Sequence, residues 1–154
     1  MRWWEFCSGQ ARPALADRRR WRRESVARLL ELRTALYAEY LVAMEERGRD
    51  LLRVLRTTAA EDRAGAAEAA ITGFNLGGTR QRIHVLASTE VVQAADGVFR
   101  RLRRARDYVA TGEPGDTHGL HAMKEEVGAL RDRFQEVVRR DARALLAGSA
   151  SWSA

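Results

Sequence analysis

Along most of this chain, apolar residues recur at intervals of three and four, the spacing of one helix face. Val26, Leu30, Tyr37, Tyr40, Leu41, Met44, Leu51 and Leu55 mark the first such stripe, with charged residues opposite. Asp17 is a good N-cap residue, so the pattern predicts a helix opening near Asp17 and running to about Thr57. At 1.5 Å per residue it would be roughly 60 Å long. No other segment is as long, so one end is expected to overhang. Gly48 lies on the stripe, where it suits a close helix crossing.

The segment 61–87 is weaker. "EDRAGAAEAAITGF" reads as alanine-rich helix, and "NLGGTRQ" intervenes before "RIHVLA". Ile71, Phe74, Gly78 and Val85 keep one helical register, while Leu76, Ile83 and Leu86 suggest a second. One broken or kinked helix is the first expectation, and helix–turn–short helix the alternative. Gly77 and Gly78 would each cost about 1 kcal/mol in a helix interior, for which a close helix approach would be a reason.

The last two segments are clean. Ser88 can cap a third helix, in which Val91, Ala95, Val98, Leu102, Ala105 and Val109 form a coiled-coil-like seam widened by Val92 and Phe99. "TGEPGDTHG" ends it. A fourth helix starts at Asp116 or Thr117, with Leu120, Met123, Val127, Leu130, Phe134 and Val137 as its seam and Leu145 and Leu146 extending it. Four amphipathic segments on short connections predict an all-α fold, an antiparallel up-down bundle of four helices with a long first helix. The expected organisation is an N-terminal tail over 1–16, a bundle domain over 17–147 and a disordered tail over 148–154.

Length and composition agree: 154 residues suit one domain, and 45% apolar with 31% charged residues suits a globular chain. Charge changes the picture more. The basic residues are 26 arginines and a single lysine, Lys124, a skew that, with the alanine excess, fits a GC-rich coding sequence. They concentrate in two places. Residues 1–23 hold seven arginines and two acids, and residues 99–107 hold five arginines and one acid. Such patches attract polyanions: nucleic acid, anionic lipid or an acidic partner.

The first patch is "DRRRWRRES", with Arg18, Arg19, Arg20, Trp21, Arg22 and Arg23 as candidate contacts for a polyanion or a partner. A polybasic stretch beside an anionic membrane gains about 1 kcal/mol per basic residue, and Trp3, Trp4 and Trp21 are of a type that favours the lipid interface. The plain alternative is a solvated helix start, with Arg20 paired to Glu24 and an arginine stacked on Trp21. Cations at a helix N-terminus are unfavourable, which argues for a later helix entry with the run partly frayed. The second patch, "FRRLRRARD", offers Arg100, Arg101, Arg103 and Arg104, with Arg106, on the exposed side of the third helix. Toward a helix C-terminus such cations also suit the dipole.

Other chemistry is thin. Cys7 is the lone cysteine, which leaves no intrachain disulfide and no cysteine zinc site, and a reducing compartment is the default. His118, His121 and Glu125 lie close enough on one helix to face one way, but a metal would need a further ligand from elsewhere. His84 is isolated. "NLGGT" lacks the ending of a phosphate loop, and no nucleophile–base set stands out. No apolar run approaches the length of a membrane span, and "MRWWEFC" is too short for a signal peptide and is interrupted by Glu5.

"RRRWRRESVARLLELRTALYAEYLVAMEE", "LASTEVVQAADGVFRRL" and the last helix together resemble uncharacterised all-helical bundle proteins of high-GC Gram-positive bacteria. In these an arginine-rich segment leads into a helix with a Tyr-Ala-x-aromatic-Leu pattern, here Tyr37 to Leu41, and a Ser-x-Glu-Val start opens the third helix, as at Ser88. Many have an apolar membrane helix before the arginine run. This chain has only "MRWWEFC" there, so it either lacks the anchor or starts downstream of one. The resemblance implies no activity and no catalytic residues.

The expectation is therefore a non-enzymatic helical interaction or scaffold module, without cofactor, metal or small-molecule substrate. It would be cytoplasmic or peripheral to the inner membrane face, with a protein partner, a second copy or an anionic membrane surface as its contact. The alternative is a nucleic-acid-associated protein that grips phosphates through both arginine patches without sequence specificity.

Overall fold

The computed structural model describes residues 11–72, 75–112 and 116–150. Helix α1 spans Ala11–Thr57 and is followed by a 3-10 turn at Ala60–Asp62. Then come α2 (Arg63–Thr72), α3 (Leu76–Leu86), α4 (Thr89–Thr111) and α5 (Thr117–Ala150). No strand occurs among the described residues. The fold is an all-α bundle of four arms, the second arm being α2 and α3 in succession.

Cross-helix pairs fix the direction of each arm. Moving up α1, Arg33 meets Asp141 and Glu45 meets Arg131, so α5 runs antiparallel to it. Arg33 reaches Leu86, Glu39 reaches Arg82 and Arg47 reaches Ala70, so the α2–α3 arm also descends. The Tyr40 hydroxyl donates to the Ala95 carbonyl at 2.8 Å. Further up, the C-terminal ends of α1 and α4 meet where Leu55 lies against Gly112, so α4 ascends with α1. The α2–α3 arm and α5 flank the α1–α4 pair.

The core follows the sequence stripes. Tyr37, Tyr40, Met44, Leu51 and Leu55 from α1, Val91, Ala95, Val98, Leu102 and Val109 from α4, and Met123 and Phe134 from α5 are buried together. Phe134 lies edge-on to Tyr37 at 6.3 Å and tilted against Tyr40 at 5.2 Å. Gly48 serves the predicted close crossing: a Cβ there would come within 3.2 Å of Val127 on α5. Leu145 is half-buried, whereas Leu146 is 52% exposed and does not extend the seam.

Three expectations need correction. First, α1 begins at Ala11, not near Asp17. Pro13 is compatible with this because the first turn's N–H groups have no intrahelical acceptor to lose. Second, 61–87 is two helices rather than one kinked helix. The Asn75 side chain accepts from the Gly78 N–H at 3.0 Å and caps a new start. Leu76 and Ile83 are buried and Val85 is 81% exposed, so the second register is the one that packs. Phe74 lies outside the described residues. Third, Gly77 and Gly78 do not serve a close helix approach. A Cβ on Gly77 would meet nothing within 4 Å, and one on Gly78 would collide with the capping Asn75 side chain. Elsewhere Ser88 occupies the N-cap position of α4 without a side-chain hydrogen bond. Asp116 caps α5 through the Gly119 N–H at 2.9 Å and accepts from the Tyr108 hydroxyl.

The bundle is tied internally by arginines. Arg63, 4% exposed, donates to the carbonyl of Thr58 at 3.0 Å and of Gly112 at 2.6 Å, at the C-terminal ends of α1 and α4. Arg47, also buried, donates to the Ala70 carbonyl in the last turn of α2 at 2.5 Å and pairs with Asp50. Arg33 donates to the Leu86 carbonyl at the end of α3 at 2.6 Å and pairs with Asp141. The last carbonyls of a helix have no intrahelical donor and carry the negative end of its dipole. A guanidinium satisfies both needs at once.

Candidate functional site

The position of "DRRRWRRES" follows from the length of α1. The 47-residue helix is roughly 70 Å long, and the body of the bundle ends near Arg33, where α3 stops and α4 is about to start. The register set by Arg33–Asp141 places the last turns of α5 beside residues 24–32. There Val26, Leu29 and Leu30 are half-buried. Before residue 24, α1 continues past the end of α5. The expected overhang is present, at the N-terminal end.

On this overhang Arg18, Arg20, Trp21, Arg22 and Arg23 are exposed; the Arg19 side chain lies outside the described residues. Arg20 pairs with Glu24 at 2.9 Å, the i,i+4 pair expected of a solvated helix. Trp21 is 69% exposed. One helix face carries Arg18, Trp21, Arg28 and Leu32 at steps of three, seven and four, and Leu32 is 59% exposed. Among the described residues Arg18, Arg23 and Arg28 have no carboxylate partner. Because α1 starts at Ala11, the arginine run sits beyond its first turn, and the dipole objection to it lapses.

The second patch is more heterogeneous. Arg101 pairs with Glu126 on α5 at 2.7 Å, and Arg106 pairs with Glu68 on α2 at 2.9 Å and with Asp107. Arg100, Arg103 and Arg104 are exposed and, among the described residues, unpaired. The patches do not adjoin. Because α4 ascends with α1 and Ala95 is level with Tyr40, Arg100 is level with about residue 45. That is roughly 35–40 Å along the axis from Trp21.

The histidines are placed separately. His121 lies 3.3 Å from Glu125 and both are largely exposed. Among the described residues no cluster of three or more potential metal ligands forms. His84 on α3 bonds Asp96 on α4 at 2.8 Å, and Arg80 bonds the same oxygen at 2.6 Å while stacking over Phe99 at 4.9 Å. Burial pushes the Asp96 carboxyl up, but the bonds and charges of Arg80 and His84 outweigh it and hold it below its usual value. Burial likewise pushes the Tyr37 and Tyr40 hydroxyls well above theirs, Tyr37 helped by Asp141, to which it donates at 2.8 Å. Both tyrosines are core groups.

No family model, no curated protein and no solved structure matches this chain. No helix among the described residues is long and apolar enough to cross a membrane.

Proposed function

We propose that the protein is a non-enzymatic helical interaction module that rests on an anionic membrane surface through the projecting part of α1. The carrying observation is one exposed face at the N-terminal end of α1, where Trp21 on the overhang and Leu32 just behind it lie in line with Arg18 and Arg28, neither of which has a carboxylate partner among the described residues. Apolar and basic side chains on one helix face let a helix lie in the plane of the headgroups. The indole enters the interface, and guanidiniums meet lipid phosphates at about 1 kcal/mol each. The segment is already helical as a continuation of α1, so little ordering cost remains on binding.

Flotation with phosphatidylglycerol-containing and with neutral vesicles tests this. The protein is expected to float with the anionic vesicles only. A variant carrying Arg18→Glu and Arg23→Glu should stay at the bottom with its melting curve unchanged. Equal flotation of the two proteins, or flotation of neither, would refute the reading. The alternative, a nucleic-acid-associated protein, is supported by Arg100, Arg103 and Arg104 on α4, which are unpaired among the described residues. It requires an affinity for oligonucleotides that drops steeply between low and physiological salt.

A further inference from the structure

On the outer side of the α4–α5 seam lies a trough of about 610 Å³, within the range of small-molecule sites. An ion pair between the two helices, Glu90 to Arg140 at 3.5 Å, closes one end, and a second, Arg101 to Glu126 at 2.7 Å, ties α4 to α5 beyond the other. Eleven residues of α4 separate these pairs, roughly 16 Å. Small residues keep it open: Ala94 and Gly97 line the α4 side, and a Cβ on Gly97 would touch nothing within 4 Å. Half-buried Leu130 and Val137 line the α5 side, and buried Phe134 closes the bottom.

The charges on the rim are uneven. Arg100 and Arg133 line the trough from opposite helices and, among the described residues, neither has a carboxylate partner. Arg101, next to Arg100 in the chain, is by contrast paired with Glu126. The one carboxylate on the rim, Glu90, is engaged by Arg140. The rim is thus cationic over an apolar floor.

We infer that this trough binds an amphiphilic monocarboxylate, its hydrocarbon chain along Leu130 and Val137 and its carboxylate between Arg100 and Arg133. A guanidinium fork matches a carboxylate in geometry as well as charge. The lining from Gly97 and Leu130 to Val137 and the Glu90–Arg140 pair suits a chain of moderate length lying along the helices. The site is separate from the α1 overhang and stands whether or not that segment binds membranes.

Calorimetric titration with decanoate, decanol and decyltrimethylammonium, all kept below micelle formation, tests it on the full chain. Decanoate is expected to bind saturably and at least about ten-fold more tightly than the other two. Arg100→Ala with Arg133→Ala should remove that preference. Gly97→Leu, whose Cβ enters open space, should abolish binding of every probe in a variant that still melts cooperatively. Equal affinity for decanoate and decyltrimethylammonium, no saturable binding of decanoate, or wild-type affinity in the filled variant would each overturn the assignment.

Discussion

Replacing Arg63 by methionine would separate internal arginine work from surface arginine work. The substitution keeps most of the buried stem and removes every donor. Two carbonyls, Thr58 at 3.0 Å and Gly112 at 2.6 Å, lose their partner. A hydrogen bond to a charged group contributes about 1.5–3 kcal/mol, so the two together set an upper limit near 6 kcal/mol. Two effects reduce it. Both carbonyls lie at helix ends where water can enter, and removing the guanidinium recovers the cost of burying a charge. The expected net loss is about 2–3 kcal/mol. For a chain of this size that lowers the melting temperature by roughly 5–10 °C. Thermal melts followed by circular dichroism would read it. Arg63→Lys, with a single point donor in place of a fork, should fall between. Arg103→Met, at an exposed position without a partner among the described residues, should move the melt by no more than about 0.5 kcal/mol. A wild-type melting temperature for Arg63→Met would refute the reasoning and mean that water satisfies those carbonyls equally well.

Gly48→Val should destabilise by about 1–3 kcal/mol through overpacking against Val127, and combining it with Val127→Ala should recover part of the loss in denaturant titrations. Gly77→Ala, in open space in the first turn of α3, should stabilise by about 0.5–1 kcal/mol; a lower denaturation midpoint would contradict that placement. The carboxyl of Asp96 is held below its ordinary value, so its contribution is present above about pH 4 and lost as pH falls through the folded-state value. Asp96→Asn should therefore flatten the acid limb of the stability profile. Tyr37 and Tyr40 are raised above the ordinary phenol value, so their contribution is complete below about pH 10 and lost as pH rises further. Tyrosinate absorbance from these two should appear only on unfolding.

The periodic stripes were enough to place most of the architecture. Val91 to Val109 and Met123 to Val137 read as two helical seams because over these stretches both helices bury one continuous face, and burial of that kind writes a period into the sequence. The lone reach of α1 was likewise legible, since no other segment could match its length. Its start was not: six residues before Asp17, no amphipathic face exists to announce a helix. The segment 61–87 misled for a different reason. Ile71 and Val85 share a register across the glycines, and only the Asn75 cap and the burial of Leu76 and Ile83 show which register packs.

The arginines show the division most plainly. Sequence alone located the dense runs at 18–23 and 100–106 and the overhang that carries the first. It gave no sign that Arg33, Arg47 and Arg63, scattered singly, end inside the bundle on the carbonyls of four helix ends. Nor could it tell that Arg101 and Arg106 are spoken for while Arg100 and Arg133 face an open trough from two helices. Periodicity reports which side of a helix is buried, a local property of spacing. Which carbonyl, carboxylate or empty space a long flexible side chain meets depends on the axial register between helices far apart in the chain, and that register exists only once the bundle has packed.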